Sequence, residues 1–556
     1  MRPAFCLCAV MGCLLVGGAL AAVAAAEQGG VKPSEGIAAP RPAVTFSKAT
    51  TYISGPLRKD GYPDYLAAID ARYREGVTPA NNSAVLYLRA VGPGSIPVKE
   101  RQDYFARLGI DPLPEKGEYF LDLDKHLLRS EERQRTPTND DLKKVRRHFD
   151  EALKRPWSAE EFPQIAAWLG ANERPLAILV EASQLPRRYD PLVRGEQDAV
   201  FAALLPALGR SRRVTEALVI RSMLRLHEGR VQDAWQDLLA CHRLARLAGQ
   251  GMFLTDANAG IALDQIACDA DRVLLEHATG LAREQWATML KDFDRLPPLP
   301  KMADKLGYAE RLSHLDFLCL GPSKGLGSLD RLLSQVVTLD ANGQGRQFVS
   351  WWVSSSFVKC LMDAAAGAAV DWDEVLREAN ARHDRFVAAC RLPSHAERLR
   401  AAQRLTAEAY RHQATLKGTT SASFMILGGW PGSLTERADH IFGAFGPPIE
   451  GVVENDDLAN TRFRLIRLAF ALAVYRAEHG SYPAKLTELV PKYVTQMPVD
   501  VFCDSDLRYH RTGDGGYLLY SVGVNGKDDG GRRSEDRSKA NEPWDDLAIR
   551  MADRKQ

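Results

Sequence analysis

Five aspartates near the end of the chain could bind a metal ion. Asp528, Asp529, Asp536, Asp545 and Asp546 lie in one segment that also contains several glycines. A hard cation takes roughly six to eight oxygen ligands, which carboxylates supply, and a bound ion would order a loop that glycines leave flexible. The same segment, 527–555, holds eight acidic and eight basic residues, so a solvated tail of mixed charge is the alternative interpretation.

A second pattern with chemical meaning is Gly321-Pro322-Ser323-Lys324-Gly325, which matches the Gly-x-Ser-x-Gly motif of serine hydrolases. That motif exposes its serine only on a turn between a strand and a helix, whereas the sequence on both sides here has a helical pattern. The histidines form no His-Glu-x-x-His or His-x-His pair, and those in amphipathic helices, such as His242, are interpreted as structural. We predict that the protein is not an enzyme, and a secreted hydrolase is the alternative.

The cysteines give no metal or redox motif. None of the six that follow the first 26 residues forms a Cys-x-x-Cys pair, which argues against a zinc ribbon or a thioredoxin-type site. In an exported protein they could form disulfides, but their apolar helical surroundings favour buried free thiols equally well. The six are Cys241, Cys268, Cys319, Cys360, Cys390 and Cys503.

The overall composition is that of a folded protein with several domains. The chain has 556 residues, of which 45% are apolar, and 72 Lys and Arg are balanced by 71 Asp and Glu. A net charge of +1 provides no field with which to hold a polyanion. We therefore expect protein partners and no nucleic acid partner.

The first 26 residues are typical of a secretory signal peptide. Arg2 precedes an uncharged apolar stretch, and Ala24-Ala25-Ala26 offers a cleavage site. An uncleaved membrane anchor is one alternative, and a lipoprotein modified at Cys13 is another. We predict export to the periplasm or the extracellular space, including association with the envelope, and no membrane span after cleavage.

The elements that must position these residues are mainly helical. After the signal peptide we predict a flexible linker (27–48), a mixed segment (49–130), a helical domain (131–427) and a Gly- and Pro-rich linker (428–454). Within the helical domain, residues 211–249 resemble one tetratricopeptide hairpin. Because no regular repeat surrounds it, we expect an irregular helical bundle, with a tetratricopeptide-like α-solenoid as the alternative.

A small α+β domain is predicted for 455–556. Asn455 or Asp456 can cap a long helix that ends at His479, before Gly480. Residues 507–510 and 517–522 are predicted to form a hairpin, and 547–550 a third strand. The predicted fold class is therefore mainly α, followed by a small α+β domain.

An ordered series of motifs runs through this last domain. The end of the helix, from 473 to 483, reads Ala-Val-Tyr-Arg-Ala-Glu-His-Gly-Ser-Tyr-Pro and is followed by Pro498-Val499-Asp500. The strand at 517–526 reads Tyr-Leu-Leu-Tyr-Ser-Val-Gly-Val-Asn-Gly, and Asp528-Asp529-Gly530-Gly531 and Asp545-Asp546 follow. Over about residues 455–550 the series resembles the major pseudopilin family, type II secretion system protein G.

The resemblance implies a globular head in which a long helix packs on an antiparallel sheet. It also implies calcium in the loop around the last strands, with Asp528, Asp529, Asp545 and Asp546 as the expected ligands. In the family, an apolar N-terminal helix anchors the protein in the membrane and drives polymerisation. Here the corresponding helix begins only after about 450 residues. It carries Arg462, Arg464, Arg467 and Arg476, and charged side chains do not suit a helix that faces lipid.

Together these observations predict an exported, non-catalytic envelope protein. A helical scaffold would carry a pseudopilin-like head for protein interaction, stabilised by calcium. Besides the secreted hydrolase, an accessory component of a type II secretion or pilus system is the alternative.

Overall fold

In the computed structural model, the described residues are 44–129, 138–194, 200, 209–278, 280–324, 372–419, 449–537, 542 and 544–552. They form a mainly helical chain with a small antiparallel sheet near the C-terminus, which confirms the coarse fold class predicted from the sequence. The predicted signal peptide (1–26) and most of the linkers 27–48 and 428–454 lie outside the described residues.

Short helices form the N-terminal part of the described chain. Several begin at a capping side chain: the Asp64 carboxylate accepts a hydrogen bond from the Ala67 N–H (3.0 Å), and the Asn82 side chain accepts one from the Ala84 N–H (3.1 Å). The helices are α1 (Tyr65–Arg74), α2 (Ser83–Val91), α3 (Arg101–Leu108), α4 (Leu123–Arg129), α5 (Asn139–Ala152), α6 (Pro163–Ala171) and α7 (Glu173–Ala182).

The helix–turn–helix pair predicted for 211–249 is confirmed. Helices α8 (Ser211–His227) and α9 (Val231–Gly249) are joined by a turn in which Gly229 has φ +74°, a conformation that favours glycine. Both helices contribute to a buried ion pair, in which Arg221 Nη2 lies 2.6 Å from Asp237 Oδ1. The pair packs as one unit because apolar residues and this ion pair occupy its shared face.

Further helices follow α9 along the chain. They are α10 (Leu254–His277), α11 (Arg283–Asp294), α12 (Met302–Lys305), α13 (Arg311–Lys324), α14 (Trp372–Cys390) and α15 (His395–Thr419), with a π-helical turn at Leu306–Glu310. Helices α9 and α10 approach very closely at Gly260, where a β-carbon would lie 2.7 Å from the Ala245 carbonyl oxygen. Glycine at this position therefore lets two long helices share buried polar side chains.

Helix α16 (Ile449–His479) belongs to the main hydrophobic core. It packs against α10, α11 and α15, and Phe470 lies at its centre, with ring centroids 4.9 Å from Phe293 and 5.3 Å from Trp235. The predicted end at His479 is confirmed, and Gly480 follows with φ +77°. The predicted start at Asn455 or Asp456 was wrong, because buried Ile449, Val452 and Val453 extend the helix into the segment predicted to be a linker.

The strands are β1 (Val499–Asp500), β2 (Ser505–Asp506), β3 (Arg508–Arg511), β4 (Tyr517–Ser521) and β5 (Leu547–Met551). The three predicted near the C-terminus, β3, β4 and β5, are confirmed as an antiparallel sheet in that order. In its register, Arg508 pairs with Tyr520 and Ser521 with Leu547. Tyr517 is buried against Tyr482, with ring centroids 4.7 Å apart. The two short strands β1 and β2 form a separate antiparallel pair.

Two features bear on the protein's environment. Across the described ranges, no helix combines the length and the apolar character that crossing a bilayer requires. The five cysteines in the described ranges are free thiols, and Cys360 lies outside those ranges.

Candidate metal centre

The pairing of β4 with β5 brings two segments of the C-terminal loop together. One segment follows β4 and contains Asp529, and the other precedes β5 and contains Asp545 and Asp546. The two segments approach closely at Gly523 (φ +69°), where a β-carbon would lie 2.3 Å from the Asp545 carbonyl oxygen. A side chain at position 523 would therefore push the two segments apart.

Three of the four predicted ligands converge in this loop. Asp529, Asp545 and Asp546 each offer a carboxylate oxygen, and these oxygens all lie within 4.8 Å of one another. We call these three residues the carboxylate cluster. Backbone amides fix two of its members: Asp546 Oδ2 accepts hydrogen bonds from the N–H groups of Gly531 (2.7 Å) and Asp529 (3.1 Å), and Asp545 Oδ2 accepts one from the Asn525 N–H (2.9 Å).

The carboxylate cluster leaves two buried oxygens without a partner. Asp545 Oδ1 and Asp546 Oδ1 make no hydrogen bond within the described structure. Burial, reinforced by the nearby Asp529, raises the pKa of Asp545. Burial and the charges of Asp529 and Asp528 raise the pKa of Asp546 to about 6. A cation would satisfy the unpaired oxygens and remove the repulsion among the three carboxylates.

Asp528, the fourth predicted ligand, is engaged elsewhere. Its Oδ1 accepts a hydrogen bond from the Tyr520 hydroxyl (2.9 Å), and its Oδ2 lies 3.3 Å from Arg508 Nε. Although partial burial opposes the effect, hydrogen bonds from the Gly530 N–H and from Tyr520 lower the pKa of Asp528. Asp528 therefore lies beside the carboxylate cluster with both of its oxygens already paired.

Asp536 is the remaining one of the five aspartates that the sequence places in this segment, and it stabilises the fold of the loop. Its carboxylate accepts a hydrogen bond from the Arg533 N–H (2.9 Å) and lies 3.1 Å from Arg550 Nη1. These contacts lower the pKa of Asp536. They also connect the loop to β5, which carries Arg550.

A second group of potential ligands is buried between α9 and α10, and sequence reasoning missed it. His242 Nδ1 lies 2.6 Å from Asp264 Oδ1, and His242 Nε2 lies 2.8 Å from Asp271 Oδ2. Cys268 Sγ lies 3.9 Å from Asp264 Oδ2, and Arg246 Nη1 lies 2.5 Å from Asp264 Oδ1. We call these five residues the His242 cluster.

The His242 cluster is electrically balanced although it is almost completely excluded from water. Burial disfavours the charged imidazole, but the Asp271 and Asp264 carboxylates prevail and raise the pKa of His242 to about 9. Despite burial, His242 and Arg246 lower the pKa of Asp264 to about 2. Two positive and two negative side chains therefore neutralise one another, as buried charges require.

The hydrolase motif lies in a different context from the one it needs. Leu315 to Leu320, which would have to form the preceding strand, and Ser323 all belong to helix α13. Gly325 lies outside the described residues. A nucleophile elbow places its serine on a sharp turn after a strand, so Ser323 in a helix does not have that geometry.

A cleft of about 790 Å³ lies between α1 and α3. Its wall carries equal numbers of basic and acidic side chains, and Arg107 is paired with both Asp70 and Asp103. The cleft therefore presents no uncompensated charge that would indicate the chemistry of a ligand. Its charged residues are Arg72, Arg74, Arg107, Arg194, Asp70, Glu75, Glu100 and Asp103.

Within the described ranges, the carboxylate cluster and the His242 cluster are the two places where three possible metal ligands converge. Oxygen alone surrounds the first, whereas nitrogen, oxygen and sulfur meet in the second. No protein-family model matches this chain, and comparisons with curated proteins and with solved structures returned no match.

Proposed function

We propose that this protein is an exported, non-catalytic scaffold of the cell envelope. In this proposal, an irregular bundle of helices carries a C-terminal pseudopilin-like head that binds other proteins and is stabilised by Ca²⁺. The observation that supports the proposal most strongly is the carboxylate cluster, with its two buried, unpaired oxygens beside a three-stranded sheet. Calcium suits this site because it accepts carboxylate oxygens in irregular arrangements.

The order of elements in the C-terminal part supports the pseudopilin-like interpretation. A long helix, a short 3-10 helix (Leu486–Leu489), a hairpin, an acidic loop and a last strand follow one another, as the sequence motifs imply. The expected ligand set is revised by one residue, because Asp528 is paired with Arg508. The proposed calcium ligands are Asp529, Asp545 and Asp546.

The position of α16 supports a scaffold rather than a filament subunit. Its apolar side is buried against α10 and α11, so it offers no free apolar face along which copies could polymerise. The head is joined to the helical bundle through the packing of this helix. Partners would therefore bind to the sheet and the loops around it.

Fractionation of cells that express the tagged full chain tests the proposed function. We expect the protein outside the cytoplasm, shortened by about 26 residues, and recovered in a complex with envelope proteins. A calcium chelator and Asp546→Asn should both weaken that complex, whereas Asp506→Asn, an exposed change on β2, should not. A cytoplasmic protein, or one that remains a lone chain with and without calcium, would contradict the proposal.

A further inference from the structure

We infer that the His242 cluster is a binding site for zinc, separate from the carboxylate cluster. The proposed ligands are His242 Nδ1, the Asp264 carboxylate and Cys268 Sγ, which all lie within 4.8 Å of one another. Nitrogen, oxygen and sulfur together favour a transition metal such as zinc over calcium or magnesium, which take oxygen. This inference does not depend on the proposed function.

The helices hold the ligands in a suitable order. Asp264 and Cys268 are one helical turn apart on α10, and His242 faces them from α9. Zinc bonds of about 2.0–2.3 Å in a tetrahedron separate ligand atoms by roughly 3.3–3.8 Å. The distance of 3.9 Å between Cys268 Sγ and Asp264 Oδ2 is close to this range. His242 Nδ1 lies 2.6 Å from the other oxygen, Asp264 Oδ1, so the imidazole and the carboxylate must move apart by about an ångström for both to bind the ion.

Asp271 and Arg246 contact the proposed ligands and would orient them without binding the metal. Asp271 contacts His242 Nε2 (2.8 Å), as a carboxylate does when it orients a metal-bound imidazole. Arg246 contacts Asp264 Oδ1, which leaves Asp264 Oδ2, the oxygen nearer Cys268, for the metal. Asp271 Oδ1 is buried and makes no hydrogen bond within the described structure, so it offers an acceptor for a zinc-bound water.

Zinc binding would leave the net charge of the His242 cluster unchanged. Zn²⁺ binding requires neutral His242 and the thiolate of Cys268, so one proton leaves each residue as the ion enters. Two positive charges replace two protons, and the net charge of the cluster does not change. The cluster comes nearest to the surface at Cys268, which lines a cleft of about 90 Å³ between α10, α16 and the loop that carries Asp545 and Asp546.

Cobalt binding to the metal-free full chain tests the inference, since Co²⁺ occupies zinc sites and absorbs strongly in the near ultraviolet when a thiolate binds it. We expect one equivalent of Co²⁺ to produce this absorption and Zn²⁺ to abolish it. Cys268→Ser should remove the absorption, whereas Cys241→Ser, a buried thiol of α9 outside the cluster, should retain it. Asp271→Asn should keep the absorption and weaken Zn²⁺ binding by roughly 10- to 100-fold.

The wild-type protein alone can overturn the inference, even if a variant fails to fold. X-ray absorption of the zinc-loaded full chain should show one sulfur among nitrogen and oxygen neighbours. A zinc shell without sulfur, no thiolate absorption with Co²⁺, or an unchanged absorption in folded Cys268→Ser would each overturn it. Asp546→Asn should leave the absorption unchanged, and its loss there would also contradict a site separate from the carboxylate cluster.

Discussion

At the scale of single residues, two carboxyl groups at the beginning of α10 retain protons at unusually high pH. Glu310 Oε1 accepts a hydrogen bond from the Leu254 N–H (2.8 Å), and Asp256 Oδ2 accepts one from the Phe253 N–H (2.9 Å). Burial raises the pKa of Glu310 from its usual 4.5 to about 7, and that of Asp256 from 3.8 to about 6. Folding therefore favours the protonated form of both groups.

Replacing Glu310 with glutamine should change how stability depends on pH. Because the pKa of Glu310 is higher in the folded protein, its contribution is fully present below pH 4.5 and is lost as the pH rises through about 7. Glu310→Gln keeps the oxygen that accepts from Leu254 but cannot ionise. We expect the variant to match the wild type at pH 4 and to be more stable at pH 8, by about 1–3 kcal/mol.

Thermal melting at several pH values measures this difference. Glu181→Gln, an exposed change in the last turn of α7, is the control and should shift the melting midpoint equally at pH 4 and pH 8. A Glu310→Gln variant that is less stable than the wild type at pH 8 would show that Glu310 is needed in its ionised form.

The candidate sites illustrate which residues a sequence can reveal. Asp545 and Asp546 were predictable because they are adjacent, close to glycines and part of a motif series. The His242 cluster was not, because Asp264 and Asp271 lie 22 and 29 positions from His242 on another helix. The available signal was the spacing of Asp264, Cys268 and Asp271 along one face of α10.

At the scale of elements, α16 has one end that the local sequence predicts and one that it does not. Its end was predictable from Gly480, and the strands from their alternation and the glycines between them. Its beginning was missed because the glycines and prolines before residue 449 suggested a linker. Burial of Ile449 and Val453 against α10 and α15 is a tertiary contact, which no local pattern displays.

Truncation of Phe470 should therefore destabilise the helical bundle as well as the C-terminal part. Phe470 is fully buried and contacts Phe293 of α11 and Trp235 of α9. We expect Phe470→Ala to cost about 3–5 kcal/mol and to increase hydrogen exchange in α9 and α11. Asn460→Ala, an exposed change on the same helix, should leave exchange in both helices unchanged, and faster exchange confined to residues 449–552 in Phe470→Ala would contradict a shared core.

At the scale of the whole molecule, the two candidate metal sites have different chemistry and different structural effects. Zinc would join α9 to α10 inside the helical bundle, whereas calcium would join the two segments of the loop beside the sheet. The cleft of about 90 Å³ is lined by residues from both places, including Cys268 and Asp546. Each ion would therefore stabilise one side of the contact between the head and the bundle.

The most direct test of the account is the melting of the full chain with Ca²⁺ and with a calcium chelator. Calcium at about one hundred times its dissociation constant should stabilise the wild type by about 2.7 kcal/mol. Asp546→Asn removes one of three repelling carboxylates, so we expect it to melt at or above the wild type in chelator and to gain nothing from Ca²⁺. Asp506→Asn should respond like the wild type, whereas identical wild-type midpoints in Ca²⁺ and chelator would contradict a calcium site at Asp529, Asp545 and Asp546.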